Sequence, residues 1–449
     1  MIKHLDLFSQ LPNEFKLAFR ELKILKHLRS AGIKKNFGYS CASLLQLIFC
    51  LIFHNKNWFR LLISKQDQGL PAKDTVYRFL NYPKYAWRQF LLSLSSDTIK
   101  KVSNLTSINR VKVLVVDDSA YEKNRSKKVE LLSRCFEHNP TKNRFYRGFR
   151  MLTLGWSDGF SFMPIDFALM TSKNSIMHGI DDSIDKRTSG YRRRIEALES
   201  APRLVSKMVN RALSSGIEAS HVLMDTWFTN EPLIIELLEE GIDVIGMIND
   251  KKQRYSYHDK SYTLKQLFSA AVPYQGKKDI LSSAQVQTKS GLTVKIVFIK
   301  NRNKKSEWLA ILSTDLTLSE AEIIRIYGLR WDIEVFFKTI KSFLRLQKEF
   351  QGRSYDLLIS HTTIVFTRYI VLSWQHRCSN DTRTLGGIFY EMCDEVNQKD
   401  WVIALKQLID LLEALASQTS KKITNVIKNQ LQEWMSGLPT YIKVCLSIS

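Results

Sequence analysis

Between residues 111 and 248 the chain alternates in an order that leaves few folds open to it. "VKVLVVDD" (111–118) is a short β-branched apolar run and reads as a strand. "FRMLTLGWSDGFSFMPIDFAL" (149–169) reads as a hairpin closed around "SDG". "RRRIEALESAPRLVSKMVNRALSSG" (192–216) is mostly helical and stops at Gly216. "HVLMDTWF" is then a strand ending at Asp225, "EPLIIELLEEG" a helix, and "DVIGMI" another strand. Strand, hairpin, helix, strand, helix, strand predicts an α/β fold: a mixed sheet with helices on its faces.

Other textures surround this core. Residues 1–105 read as helical, and Asp74 in "AKDTVYRFLN" is expected to cap a short helix. Residues 250–310 are basic and β-like, with "RYSYHDKSYTL", "LTVKIVFIK" and "EWLAILSTD" as their strands. Helix returns at "TLSEAEIIRIYGLRWDIEVFFKTIKSFLRL", where Thr317 and Glu320 suggest a capping box. "WVIALKQLIDLLEAL" (401–415) is a strongly amphipathic helix, and no internal repeat is visible.

Charge narrows the partners. The formal net charge is +22, from 66 basic and 44 acidic residues. Holding that excess together favours a polyanion, nucleic acid first and an anionic membrane surface second. Six cysteines are scattered without a Cys-x-x-Cys pair, and no histidine has zinc-like spacing, so the thiols read as reduced and buried in a cytosolic protein. The N-terminus lacks a signal-peptide pattern. "LLISHTTIVFTRYIVLSW" (357–374) is long enough to cross a bilayer, but His361 and Arg368 mark it as a buried helix, and no membrane is expected.

Within "IYGLRWDIEVFFKTIKSFLRL" (326–346), Tyr327, Arg330, Glu334 and Lys341 fall at offsets of zero, three, seven and fourteen. On a continuous α-helix they gather within roughly a 60° stripe. A solvated face with helical ion pairs is the plain explanation. Two strand-end carboxylates make a second reading available, since Asp117 or its neighbour Asp118 and the more distant Asp225 both sit where a sheet edge would carry a site. Three clustered carboxylates repel unless cations are bound, and Mg²⁺ favours hard oxygen ligands. Two such ions about 4 Å apart assist phosphodiester chemistry. Asp332 lies about 200° from Glu334 on such a helix and does not share its face.

The order of sheet with hairpin, Asp, Asp and a helix bearing Glu resembles the RNase H-like nucleotidyl transferases. The pattern Y-x-x-R-x-x-x-E-x-x-x-x-x-x-K, with "VVDDS", "LMDTWF" and "LSTDLTLSEAEIIRIYGLRW" in order, is similar to that of DDE transposases of the insertion-sequence-four family. The resemblance covers roughly residues 105–375. It implies a helical DNA-binding region (1–105), an RNase H-like core (106–249 and 311–375) carrying a β-rich insertion (250–310), and a helical C-terminal region (376–449) that could dimerise. It further implies that Asp117, Asp225 and Glu334 bind two Mg²⁺ ions, which Mn²⁺ can replace; Asp118 stays a rival to Asp117, since adjacent strand residues face opposite ways. Tyr327, Arg330, Lys338 and Lys341 would contact DNA, with packing as the alternative for Tyr327. Trp308 matches an aromatic that stacks on a flipped base, with a core tryptophan as the alternative. The implied activity is metal-dependent cleavage and strand transfer at terminal inverted repeats, by a homodimer acting on double-stranded transposon and target DNA in the bacterial cytoplasm, at the nucleoid. A metal-dependent nuclease and an inactive DNA-binding relic are the competing readings.

Overall fold

The computed structural model describes residues 13–437 apart from 65–69, 108, 138–143, 252, 303, 305, 379–382 and 418–420. Its strands are β1 (Val113–Glu122), β2 (Ser133–Glu137), β3 (Arg144–Ser157), β4 (Phe162–Met170), β5 (His221–Met224), β6 (Asp243–Ile248), β7 (Arg254–Tyr257), β8 (Lys260–Thr263), β9 (Val272–Pro273), β10 (Ile280–Gln287), β11 (Thr293–Lys300) and β12 (Trp308–Ser313). They form one 12-stranded mixed sheet in the order β2-β3-β1-β5-β6-β12-β11-β10-β7-β8, with β4 beside β3 and β9 beside β10. The fold is a mixed α/β arrangement consistent with an RNase H-like core.

β1 is the organising strand. It pairs antiparallel with β3 along its whole length, and parallel with β5 only from Val113↔His221 to Val116↔Met224. β5 in turn runs parallel to β6. The alternation read from 111 to 248 is therefore present, with β2 as a further short strand that the pattern does not announce. β4 is buried at every position, as expected of a strand covered on both faces. In the β-rich segment β10 alternates between buried and accessible positions, so one of its faces is solvated. That segment is continuous with the core, because β12 pairs with β11 on one side and β6 on the other.

Helices close the structure. The Trp87–Asn104 helix packs on β4 and on the Tyr355–Cys378 helix. The latter is long and apolar enough to cross a membrane, yet its apolar stretch is wholly buried inside the protein. Its two polar outliers account for each other. Arg368 donates to both oxygens of Glu349 at 2.6 and 3.0 Å and to the Phe49 carbonyl at 3.0 Å, while His361 lies 2.8 Å from the same carboxylate. A charge is tolerated at such depth only when paired and fully hydrogen-bonded.

Four local expectations change. Helical spacing predicts one continuous helix through 326–346. Two are present, Glu320–Gly328 and Trp331–Ser342, separated by i→i+3 bonds such as Arg330 N to Tyr327 O at 3.0 Å. The capping box belongs to Ser319 and Glu322, not Thr317 and Glu320, because the helix starts at Glu320; the Thr317 hydroxyl instead donates to Asp315 at 2.6 Å. Asp74 lies in the first turn of the Lys73–Leu80 helix rather than at its cap, which is Ala72. Of the cysteines, Cys41, Cys50 and Cys135 are buried, but Cys378 is exposed and Cys393 half-exposed; Cys445 lies outside the described residues.

Candidate active site

The last β1–β5 pair is Val116↔Met224, so Asp117 and Asp225 are the next residues on adjacent parallel strands, side by side where β5 ends; Asp117 is not at a strand end as the sequence suggests, because β1 runs on to Glu122 against β3. Neighbouring strands are about 4.8 Å apart, which brings the two carboxylates to one edge by register alone. Asp117 accepts the Asp118 amide at 2.7 Å through Oδ1 and Arg330 Nη1 at 3.0 Å through Oδ2. Burial, and then the facing Asp225 carboxylate, push its pKa up to about 7. Asp225 turns the chain: its Oδ1 accepts the Trp227 amide at 2.9 Å and the Phe228 amide at 3.3 Å. Burial raises its pKa as well.

Glu334 arrives from the Trp331–Ser342 helix. Arg330, at the break between the two helices, donates through its second Nη to Glu334 Oε1 and thereby bridges Glu334 to Asp117. Burial works against the guanidinium charge, but Tyr327, Asp117 and Glu334 hold it above the ordinary arginine value. Tyr327 is buried beside it, and that burial pushes its phenol up to about 12. In the last turn of the helix, Lys341 Nζ donates to Ser119 Oγ at 2.6 Å, with burial pulling its pKa down. The helix thus runs beside β1, with Arg330 meeting residue 117 and Lys341 meeting residue 119, two positions on one face of the strand. Lys338 is exposed on the same helix.

The rival residues have other partners, although the Asp118 charge still reaches Asp117 and Asp225 and raises the pKa of each. Asp118 points to the other face of β1 and pairs with Arg150. Asp332 accepts the Ser157 hydroxyl at 2.5 Å. Trp308, at the start of β12, stacks on Phe268 with centroids 5.1 Å apart and meets Phe298 edge-on at 5.1 Å, so its ring packs within the β-rich segment. Two indoles not singled out from the sequence are more accessible: Trp227 is 56% exposed and Trp331 62%. Both lie close in sequence to the acidic residues, Trp227 two positions after Asp225 and Trp331 three before Glu334. Arg150 lies 5.5 Å over the Trp227 ring. An aromatic two residues after a strand-end aspartate was the signal available for the first of them.

Asp117, Asp225 and Glu334 share an edge without converging on a point. Among the described residues, the group whose ligand atoms all lie within 4.8 Å of one another is His221, Asp243 and Asp315. These occupy the opposite end of the sheet, where β5 and β6 begin. Each has protein partners: His221 lies 3.2 Å from Asp315 and 2.7 Å from Ser220, and Asp243 accepts from Thr314 at 2.6 Å. No sequence spacing links this histidine to its aspartates; the fold alone assembles them. The all-oxygen donors at the Asp117 edge fit a divalent cation, because the Asp225 carboxylate faces Asp117 and adds to burial in raising its pKa.

Two family models match the chain. The model described as DDE superfamily endonuclease covers residues 70–266, which include Asp117 and Asp225. The model described as transposase DDE domain covers residues 197–357, which include Asp225 and Glu334. Together they support a DDE transposase. The matches thus point to a nuclease-type enzyme acting on DNA. No curated protein matches the chain.

Proposed function

We propose that this chain is a transposase of the insertion-sequence-four type. It binds the terminal inverted repeats of its element and catalyses cut-and-paste transposition, with Asp117, Asp225 and Glu334 as ligands for Mg²⁺. The observation that carries the reading is the Arg330 bridge. It ties Glu334 to Asp117, which lies 213 positions before Arg330 in the chain, beside the strand end that carries Asp225.

When bound, the divalent cations would activate the attacking water and stabilise the departing oxygen. The protein's own groups do the remainder. Arg330 leaves the carboxylates for the non-bridging oxygens of the scissile phosphate, which suit its planar fork. Tyr327 holds the guanidinium from its buried side. Lys341, fixed over Ser119, and the exposed Lys338 contact the neighbouring phosphates. Water adds to phosphorus as the bond to the 3′ oxygen breaks, leaving a 3′-OH. That hydroxyl then attacks a second phosphodiester in the opposite strand or the target, forming one P–O bond and breaking another. Trp308 offers an aromatic face to a displaced base only if the DNA reaches the insertion. Pairing two ends needs at least a homodimer, for which the leucine face within 401–415 is the candidate surface. The setting is bacterial cytoplasm, on nucleoid DNA.

The test is a cleavage-and-joining assay on DNA built from the gene's own flanks, with Mg²⁺, comparing the natural protein with Glu334→Gln. Cutting at the flank boundary followed by joining, both lost in the variant, is the expected result. Cutting without joining identifies a nuclease. Metal-independent binding alone, unchanged in the variant, identifies a DNA-binding relic.

A further inference from the structure

Past Asp117, β1 continues beyond the end of β5 to Glu122, and the chain then turns through residues 125–129 against residues 351–353. The two segments line a groove of about 380 Å³. Arg125, Lys127, Lys128 and Arg353 are all exposed in its wall, and no acidic residue lines it. Glu130, the nearest carboxylate in sequence, is already taken by Arg194 and the Tyr355 amide. The walls are fixed by backbone bonds: Glu130 N donates to Arg353 O at 2.8 Å, Ser126 N to Lys123 O at 2.8 Å, and the His178 ring meets the Lys127 carbonyl. Four cations held on a fixed frame without an acidic partner repel one another unless a polyanion lies between them.

We propose that this groove is a subsite for the DNA backbone, reached along β1 from the carboxylates. The inference rests on the transposase reading for the position of the scissile phosphate. Lys341, bound to Ser119, and Lys123, 3.4 Å from the Gln347 carbonyl, mark the path between the two. Six residues of extended strand from Asp117 to Lys123 span about 20 Å at 3.3 Å each. That is about six base pairs of duplex at 3.4 Å per step. A duplex engages the groove only when it extends at least that far on one side of the cut.

The test measures binding by the full chain, with divalent ions chelated, on duplexes trimmed stepwise on either side of the cleavage position. The natural protein is compared with the triple variant Lys127→Ser, Lys128→Ser, Arg353→Ser. A control, Lys260→Ser, Lys265→Ser, Lys278→Ser, removes the same charge from the β-rich segment. Expected is a rise in affinity once one flank passes about six base pairs, lost in the groove variant and kept in the control. Three phosphate contacts contribute about 2.7 to the salt slope, so between 50 and 200 mM salt the natural protein should lose about 40-fold more affinity than the variant. Equal slopes and equal length dependence in the natural protein and the groove variant, or the same loss in the control, overturn the proposal. Thermal unfolding separates a misfolded variant from one with a weakened groove, and Lys127→Ser alone should give about one third of the slope change. A natural protein that shows the step but neither cuts nor joins would sink the catalytic reading and leave the groove standing.

Discussion

Asp117→Asn should make the metal-free protein more stable, by an amount that depends on pH. Burial and the Asp225 carboxylate push the Asp117 pKa from 3.8 up to about 7. The folded protein therefore keeps a proton that the unfolded chain has lost, and native stability falls as pH rises from about 4 to 7, then levels off. A pKa difference of about 3 corresponds to about 4 kcal/mol at 1.36 kcal/mol per unit once the group is fully ionised. At pH 5 only about 1.7 kcal/mol of that is felt, so the advantage of Asn should grow by roughly 3 kcal/mol between pH 5 and pH 8. Groups common to both proteins cancel in the difference. So does the fixed loss of about 1 kcal/mol from turning the amide away from either Asp118 N or Arg330.

For a chain of 449 residues unfolding as one unit, 3 kcal/mol is a shift of about 3 °C in Tm. The assay is differential scanning calorimetry of both proteins with a chelator present, at pH 5 and at pH 8. Adding a divalent cation at pH 8 should raise the natural protein towards the variant and leave the variant unmoved. A Tm difference that stays constant across pH would refute the burial of Asp117 beside a second carboxylate.

Removing Arg368 strands a buried carboxylate: Arg368→Met should destabilise by about 3–5 kcal/mol in urea unfolding, far more than an exposed arginine, and a loss under 1 kcal/mol would mean Glu349 is not sealed from water. Trp308→Ala should cost about 2 kcal/mol or more through its contacts with Phe268 and Phe298, read as faster limited proteolysis within the β-rich segment; an unchanged rate would return Trp308 to a purely DNA-facing role. Leu408, Leu411, Leu412 and Leu415 lie exposed on the Leu385–Ser417 helix, so Leu411→Lys with Leu415→Lys should shift light-scattering mass from dimer to monomer. A mass unaffected by both lysines would move the dimer surface elsewhere.

The core was legible because its signals are local. β-branched runs, the "SDG" hairpin and the stop at Gly216 each need only a few neighbouring residues, and Gly216 does adopt the left-handed backbone of a helix end, with φ of +76°. What escaped depends on pairings between distant segments. Asp118 faces Arg150 because β1 and β3 align Ala120 with Arg150, a register that no count along the sequence reveals. His221 meets Asp315 from 94 positions away. The break before Trp331 is hidden for another reason: apolar periodicity records which positions are buried, and Leu329 and Arg330 keep right-handed helical backbone angles across the junction, so the periodicity carries through it.

That break has a consequence for how the acidic residues are held. On an unbroken helix Arg330 and Glu334 form an ordinary ion pair one turn apart. With Arg330 at the junction, its guanidinium reaches Asp117 as well, and both Nη groups are used on different carboxylates. A lysine ammonium has no such fork. The bridge offsets part of the repulsion between Asp117 and Asp225, so the two strands and the helix can stay together before any cation binds. Under the proposed function the same bridge links two ligands. A cation that takes over the carboxylates frees Arg330 for a phosphate, and a phosphate that attracts Arg330 exposes the carboxylates to a cation. Each then strengthens the other's binding by the same factor, and Asp117 and Glu334 are fully engaged by a divalent ion only when DNA is there to receive the arginine.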